Sequence, residues 1–224
     1  MIYLANISKL NEEALKVRVC PERAEYAAKY KNAADRIRSL SVAVLLEEAM
    51  KQEYGISGPI LLSHTENQKP YIVNCLQLLG RNVEISMTHS GDYVGVAVSE
   101  KPIGLDLEQH GKSDRGEKVA KHFFTEVENL RIRQAPDQNS AFYKCWTLRE
   151  SYLKCIGTGL TLSFDAFSTD DEREGVTYFH RQGDESNCFG TELEAPSGYS
   201  LSVCSTDLKL LKNITADGTI LVSL

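Results

Sequence analysis

The sequence predicts a mixed α/β fold, and three observations carry that prediction. Long runs with apolar residues at helical spacing, from Tyr26 to about Met50 and from Ala141 to Ile156, alternate with short runs of period two. The period-two runs occur in both halves of the chain, as alternating architectures require. A faint internal echo, Ser90-Gly91-Asp92-Tyr93-Val94-Gly95-Val96-Ala97-Val98-Ser99 against Ser197-Gly198-Tyr199-Ser200-Leu201-Ser202-Val203-Cys204-Ser205, hints at two related halves.

In the first helical run Ala33, Ile37, Leu40 and Val44 fall on one face, and no glycine or proline interrupts them. The segment Tyr54-Gly55-Ile56-Ser57-Gly58-Pro59 ends it, and a second loop at Glu66-Asn67-Gln68-Lys69-Pro70 sets Lys69 just before an extended stretch. Val83, Ile85 and Met87 alternate with polar residues and Tyr93 to Val98 is β-rich, so the two predict a hairpin with His89-Ser90-Gly91-Asp92 as its polar turn. Next, Ile103, Leu105 and Leu107 alternate with Gly104, Asp106 and Glu108, a strand with one apolar and one chemically distinct face.

A polar linker, Gly111 to Gly116, leads to a short helical stretch from Val119 to Phe124. The second long helix follows, with Gly157 and Gly159 as its stop. Phe142, Trp146 and Leu153 are expected to pack this helix on its sheet. Further β-like runs are Thr161 to Phe167, Val176 to His180, Tyr199 to Val203 and Thr219 to Val222, with a turn at Asp217-Gly218. The acidic run Asp170-Asp171-Glu172-Arg173-Glu174 reads as a solvated loop.

Composition narrows the function. A chain of 224 residues that is 42% hydrophobic can bury its own core. A net charge of -6, from 25 basic and 31 acidic residues, argues against broad nucleic-acid binding and leaves room only for a local basic pocket. Six cysteines, Cys20, Cys75, Cys145, Cys155, Cys188 and Cys204, stand without any C-x-x-C pair, so they read as free thiols of a reducing cytoplasm, not as disulfides or a zinc site. The first residues turn polar too soon for a signal peptide and no apolar run is long enough to span a bilayer, which predicts a cytoplasmic protein.

The candidate chemistry lies on the 103–108 strand and the second long helix. Asp106 and Glu108, two apart, present both carboxylates from one face with attachment points roughly 7 Å apart, close enough to share a cation. Gly104 on the same face leaves space for a ligand, which suits magnesium and phosphate oxygens. The same residues would serve a solvated strand edge. Glu150 and Lys154 stand at i and i+4, an acid and a base one turn apart that could also be a plain surface salt bridge. His89 could donate to a phosphate. Together these residues describe a metal-assisted phosphoryl-transfer site built from one strand and one helix.

The order and wording of the motifs then identify a resemblance. Ile103-Gly104-Leu105-Asp106-Leu107-Glu108 and Trp146-Thr147-Leu148-Arg149-Glu150-Ser151-Tyr152-Leu153-Lys154 resemble the two signatures of the Sfp-type 4′-phosphopantetheinyl transferases. Lys69-Pro70, Thr88-His89-Ser90-Gly91, Phe123-Phe124-Thr125 and Gly157-Thr158-Gly159-Leu160 match in the same order, so the resemblance spans roughly residues 36 to 167.

The resemblance implies two similar α/β halves, residues 1–110 and 111–224, related by a pseudo-twofold axis with coenzyme A between them. It implies that Asp106, Glu108 and Glu150 hold magnesium, and that Glu150 takes a proton from a serine of an acyl or peptidyl carrier protein. Lys154 would contact the phosphates, Lys69, Thr88 and His89 would bind the nucleotide's phosphate groups, and Arg38 would reach its 3′-phosphate. A monomer is expected, since one chain carries both halves. Two residues depart from the family pattern: Arg149 stands where lysine is usual, and Ser86 where asparagine usually precedes the turn. A homologue that only binds coenzyme A or a carrier protein, and an unrelated α/β protein with accidental motifs, are the competing readings.

Overall fold

The computed structural model describes residues 1–111, 119–159, 162, 166–181 and 187–224. Two sheets organise them. The first has the order β11-β1-β5-β4, built from β1 (Ile2–Asn6), β4 (Glu84–Ser90), β5 (Tyr93–Ser99) and β11 (Ile220–Val222). The second has the order β6-β10-β9-β8-β7, from β6 (Ile103–Gln109), β7 (Phe167–Arg173), β8 (Val176–Arg181), β9 (Cys188–Leu193) and β10 (Tyr199–Ser205). A small hairpin, β2 (Leu62–His64) with β3 (Pro70–Ile72), stands apart and carries Lys69 in its loop, as expected.

Each sheet is covered by one long helix. The first, α3 (Ala33–Tyr54), starts later than its periodicity suggests, because Asn32 caps it and the residues before it form α1 (Glu12–Lys16) and α2 (Pro21–Ala28). Gly55, in the left-handed region at φ 68°, ends it. Its buried face, including Val42, Leu45, Leu46, Ala49 and Met50, packs with Tyr3, Ile85, Val94, Val96 and Val98 of the first sheet. The helices α4 (Cys75–Leu79), α5 (Glu126–Gln134), α6 (Gln138–Ile156) and α7 (Leu208–Asp217) complete the set, and residues 119–123 are helical as expected.

The period-two strands lie where the sequence puts them. In β6, Ile103, Leu105 and Leu107 are buried in a core shared with Ile2, Leu4, Leu201, Val203 and Leu211. The hairpin β4–β5 is present, but its turn is only Gly91-Asp92; His89 and Ser90 continue the strand, paired with Val94 and Tyr93. The acidic run is strand rather than loop up to Arg173: Asp171, Glu172 and Arg173 pair with Tyr178, Thr177 and Val176. Half-exposed edge strands tolerate charge on their solvent side, which hides them from a hydrophobicity count. The expected run Thr161 to Phe167, the linker from 112 to 116 and Leu160 of the glycine motif fall wholly or partly outside the described residues.

The internal echo corresponds to real structure. Strands β5 and β10 share one burial pattern, each lies beside the edge strand that faces the other sheet, and their first tyrosines, Tyr93 and Tyr199, meet edge to face at 5.0 Å. The backbone N–H of Asp92 donates to the Tyr199 hydroxyl at 3.0 Å. A division at residue 110 cuts across sheet membership, however. Strand β6 pairs with β10 in the second sheet, and β11 returns to pair in parallel with β1 in the first.

The sheets meet where β4 faces β6, and here side chains replace a backbone ladder. The hydroxyls of Ser86, Thr88 and Ser90 accept from the backbone N–H of Leu105, Leu107 and Gln109 at 2.9, 3.0 and 2.9 Å. Those three N–H groups lie on the side of β6 away from β10 and would otherwise be orphans. Ser86, the departure from the family pattern, is thus one rung of this junction.

Helix α6 lies across β6 and β10. Gly104 makes the approach possible: a Cβ there would stand 1.9 Å from the Ser151 carbonyl oxygen and 2.4 Å from the Cys155 nitrogen. The missing side chain therefore makes room for the helix backbone and not for a ligand. We predict that Gly104→Ala lowers stability by about 3 kcal/mol or more, since neither backbone can yield. Urea unfolding measures this, and a loss under about 1 kcal/mol would show that the helix shifts freely.

Candidate active site

The face of β6 that Gly104 opens toward α6 also carries Asp106. Its carboxylate is buried, with 4% of the residue exposed. One oxygen, Oδ1, accepts from the Lys154 ammonium at 2.6 Å and lies 3.4 Å from the Thr88 hydroxyl. The other, Oδ2, is buried with no hydrogen-bond partner among the described residues. A buried, unpaired carboxylate oxygen is costly, and its cost is relieved by whatever cation or donor reaches it. Lys154 also donates to the Leu105 carbonyl at 3.1 Å, so its ammonium is fixed over the strand. Its partner is Asp106 across the helix–strand contact rather than Glu150 one turn back, which removes the surface-pair reading.

Glu108 and Glu150 complete an acidic cluster. Glu108 accepts from the Ser90 hydroxyl at 2.8 Å, and burial followed by the charge of Asp106 pushes its pKa above the ordinary carboxylate value. Glu150 is pushed up to about 7, by burial first and then by Asp106 and Glu108, with Lys154 acting in the opposite direction. The three carboxylates thus sense one another, yet their oxygens do not all lie within 4.8 Å of each other. Lys154 holds Asp106 and Ser90 holds Glu108, and like charges do not close up unaided. Oxygen donors, one buried orphan among them, fit a hard divalent cation such as magnesium.

The expected anion-binding residues divide between the two ends of β4. Lys69 bonds the Glu84 carboxylate at 3.1 Å and the Cys155 carbonyl at 3.0 Å, beside Gly157. A cleft of about 240 Å³ lined by Lys69, Met87, Leu153, Lys154, Gly157 and Gly159 joins it to Lys154. Arg38 lies at the far end, donating to the Gly91 carbonyl at 3.0 Å and pairing with Asp35 at 2.7 Å. His89 is there too; the protein packed round its ring, then Lys154 and Arg38, hold its pKa below the usual range. The ends are a strand length apart, roughly 20 Å. The Thr88 hydroxyl is committed to the Leu107 N–H and to Asp106, so its part is to brace the carboxylate.

Arg149 is not at this site. It points from the opposite side of α6 and is fully buried, its guanidinium forked onto Glu128 at 2.8 and 2.7 Å and lying 4.6 Å from the centre of the Phe167 ring. Glu128 in turn closes a capping box with Thr125 at the start of α5 and accepts from the Thr169 hydroxyl. Planar bidentate pairing over an aromatic ring is a use that lysine cannot match, so the arginine is a structural choice. Phe142 packs with Phe124 beside α5, Trp146 packs on that cluster and also on the core between α6 and its sheet, and Leu153 lies within that core, so two of the three expected residues pack toward the sheet.

Ser86 and Ser90 belong to the site's framework and are not obvious from motifs alone. The signal that could have found them is the spacing of Ser86, Thr88 and Ser90, three hydroxyls at period two on one strand face.

Comparison with known proteins finds a matching family profile and several relatives. The profile of the 4′-phosphopantetheinyl transferase superfamily matches residues 102–204. A 4′-phosphopantetheinyl transferase of Bacillus subtilis is 29% identical over 204 residues, covering 89% of this chain and 87% of that protein. The 4′-phosphopantetheinyl transferase gsp of Aneurinibacillus migulanus is 30% identical over 190 residues, covering 84% of this chain and 76% of that protein. The 4′-phosphopantetheinyl transferase Sfp of Bacillus subtilis strain 168 is 28% identical over 200 residues, covering 88% and 86%.

The raised pKa of Glu150 has a measurable cost. An acid whose folded pKa lies above its unfolded value of 4.5 favours the folded state below 4.5, and that contribution is lost as pH rises through about 7. With a chelator present, Glu150→Gln should therefore be more stable than the parent at pH 8, on the order of 2 kcal/mol, and equal to it near pH 4. Urea midpoints at the two pH values measure this, and an equal difference at both would show that Glu150 is not strained.

Proposed function

The chain belongs to the 4′-phosphopantetheinyl transferase family, and from that premise we propose that its cleft carries the phosphopantetheine arm of coenzyme A to a serine of an acyl or peptidyl carrier protein, with magnesium held by Asp106, Glu108 and Glu150. One observation carries the residue assignment: a buried aspartate whose one oxygen is held by a lysine and whose other oxygen is unpaired, beside two carboxylates of raised pKa.

In this reading the serine Oγ forms a bond to the β-phosphorus while the bond to the departing adenosine 3′,5′-bisphosphate breaks. The serine proton passes to an oxygen of Glu150 that magnesium would leave free. Lys154, fixed by Asp106 and the Leu105 carbonyl, keeps a positive charge at the wall of the cleft where phosphate oxygens gather. When bound, magnesium would polarise the pyrophosphate oxygens and offset their charge.

Lys69 faces the same cleft as Lys154 and would take a phosphate by releasing Glu84. Arg38 and His89 at the other end of β4 would receive the remaining phosphate of the nucleotide. Coenzyme A would then lie where the two sheets meet, along the β4–β6 junction. The carrier protein is the second substrate. A cytoplasmic monomer is the setting that suits six free cysteines and a complete site in one chain; no helix among the described residues is long and apolar enough to cross a membrane.

The test is the intact mass of a purified apo carrier protein after incubation with this protein, coenzyme A and magnesium, with a chelator control. A phosphopantetheine gain that needs magnesium is expected; coenzyme A binding with no gain on any carrier type would mark a binding homologue instead. Asp106→Ala should abolish transfer with an unchanged circular dichroism spectrum. Lys154→Ala should lower turnover by about a hundredfold. Full turnover in either variant would remove that residue from the chemistry.

A further inference from the structure

Six cysteines scattered along the sequence become three plus three in the fold. Cys155 in the last turn of α6, Cys188 at the start of β9 and Cys204 in β10 converge in one place. The Cys188 sulfur is 3.7 Å from that of Cys155 and 3.2 Å from that of Cys204, and all three lie within 4.8 Å of one another. They are 2%, 2% and 0% exposed, walled by Tyr152, Leu153, Phe167 and Phe179. All three are free thiols.

The spacing is close to what a trigonal metal centre requires. Metal–sulfur bonds of about 2.3 Å to an ion at the centre of a triangle place the sulfurs about 4 Å apart. Each sulfur would need to move by less than about 1 Å to reach that geometry. Sulfur-only ligation selects soft cations. Zinc prefers four ligands, and among the described residues no carboxylate or imidazole joins the three sulfurs. A hard cation such as magnesium would not leave oxygen donors for them.

We propose that Cys155, Cys188 and Cys204 form a buried three-sulfur site for a single soft monovalent cation of the copper(I) class. Each metal–thiolate bond that forms replaces one S–H and releases one proton to solvent. Copper stays in its +1 state throughout, so no oxidant or reductant takes part. The Cys188 thiol already donates to the Cys155 sulfur, so these sulfurs face one another before any ion arrives.

Metal binding at these sulfurs is tested without the transfer reaction. The full-length protein, kept anaerobic with a phosphine reductant, is titrated with copper(I) against a chromogenic copper(I) chelator, and bound metal is counted after gel filtration. One copper per chain is expected, with a thiolate-to-copper absorption band in the ultraviolet. Cys188→Ala and Cys204→Ala should each weaken retention by at least about tenfold, while Cys145→Ala leaves it unchanged. Should an alanine variant fail to fold, Cys188→Ser keeps the volume and gives the same reading. No copper retained against the chelator, or equal loss in Cys145→Ala, overturns the proposal.

Discussion

The whole structure depends on three hydroxyls. Ser86, Thr88 and Ser90 take the outward N–H groups of β6, and without them an interior strand edge would carry three unsatisfied donors. A continuous backbone ladder would have merged the two sheets into one. Side-chain rungs hold them at a greater distance and leave the carboxylates of β6 beside the junction. Two of the rungs also serve the site: Thr88 lies against Asp106 and Ser90 donates to Glu108. Structure and chemistry therefore share the same atoms, and a change at Thr88 would disturb both.

A second constraint sets the depth of the site. Gly104 lets α6 come down onto β6 until backbone meets backbone, and this brings Lys154 within 2.6 Å of Asp106. On its other side the helix is pinned by the buried Arg149–Glu128 pair, which ties it to α5 and to β7 through Thr169. Breaking such a pair by removing one partner typically costs about 3–5 kcal/mol. The helix is thus clamped from two sides, and the rotation that presents Glu150 and Lys154 to the strand is fixed by residues that never meet a substrate.

The parts of this arrangement that are local in sequence are legible in it. Period two gives β6 with its carboxylates, and period 3.6 with glycine stops gives α6 with Glu150 and Lys154, because burial faces repeat with the geometry of the element that carries them. What depends on long-range partners is not legible. Nothing in the neighbourhood of Arg149 says that Glu128 waits for it inside the protein. Nothing near Gly104 says that the space it frees belongs to a helix fifty residues on rather than to a ligand. The acidic strand β7 hides because its charges face outward, and the three converging cysteines share neither a motif nor a spacing. The motif order, by contrast, identifies the family without any of these contacts.

The return of β11 to β1 affects how the protein is made. Tyr3 pairs with Ile220, so β1 has its outer neighbour only when β11 has emerged. During synthesis β1 must be held by β5 alone, with one edge open to stray pairing. Contacts between such distant residues also slow folding, because a long loop must close before they form. The first sheet therefore reaches its final width only once β11 has been made, and the pairing of β11 closes an edge that stays open until then.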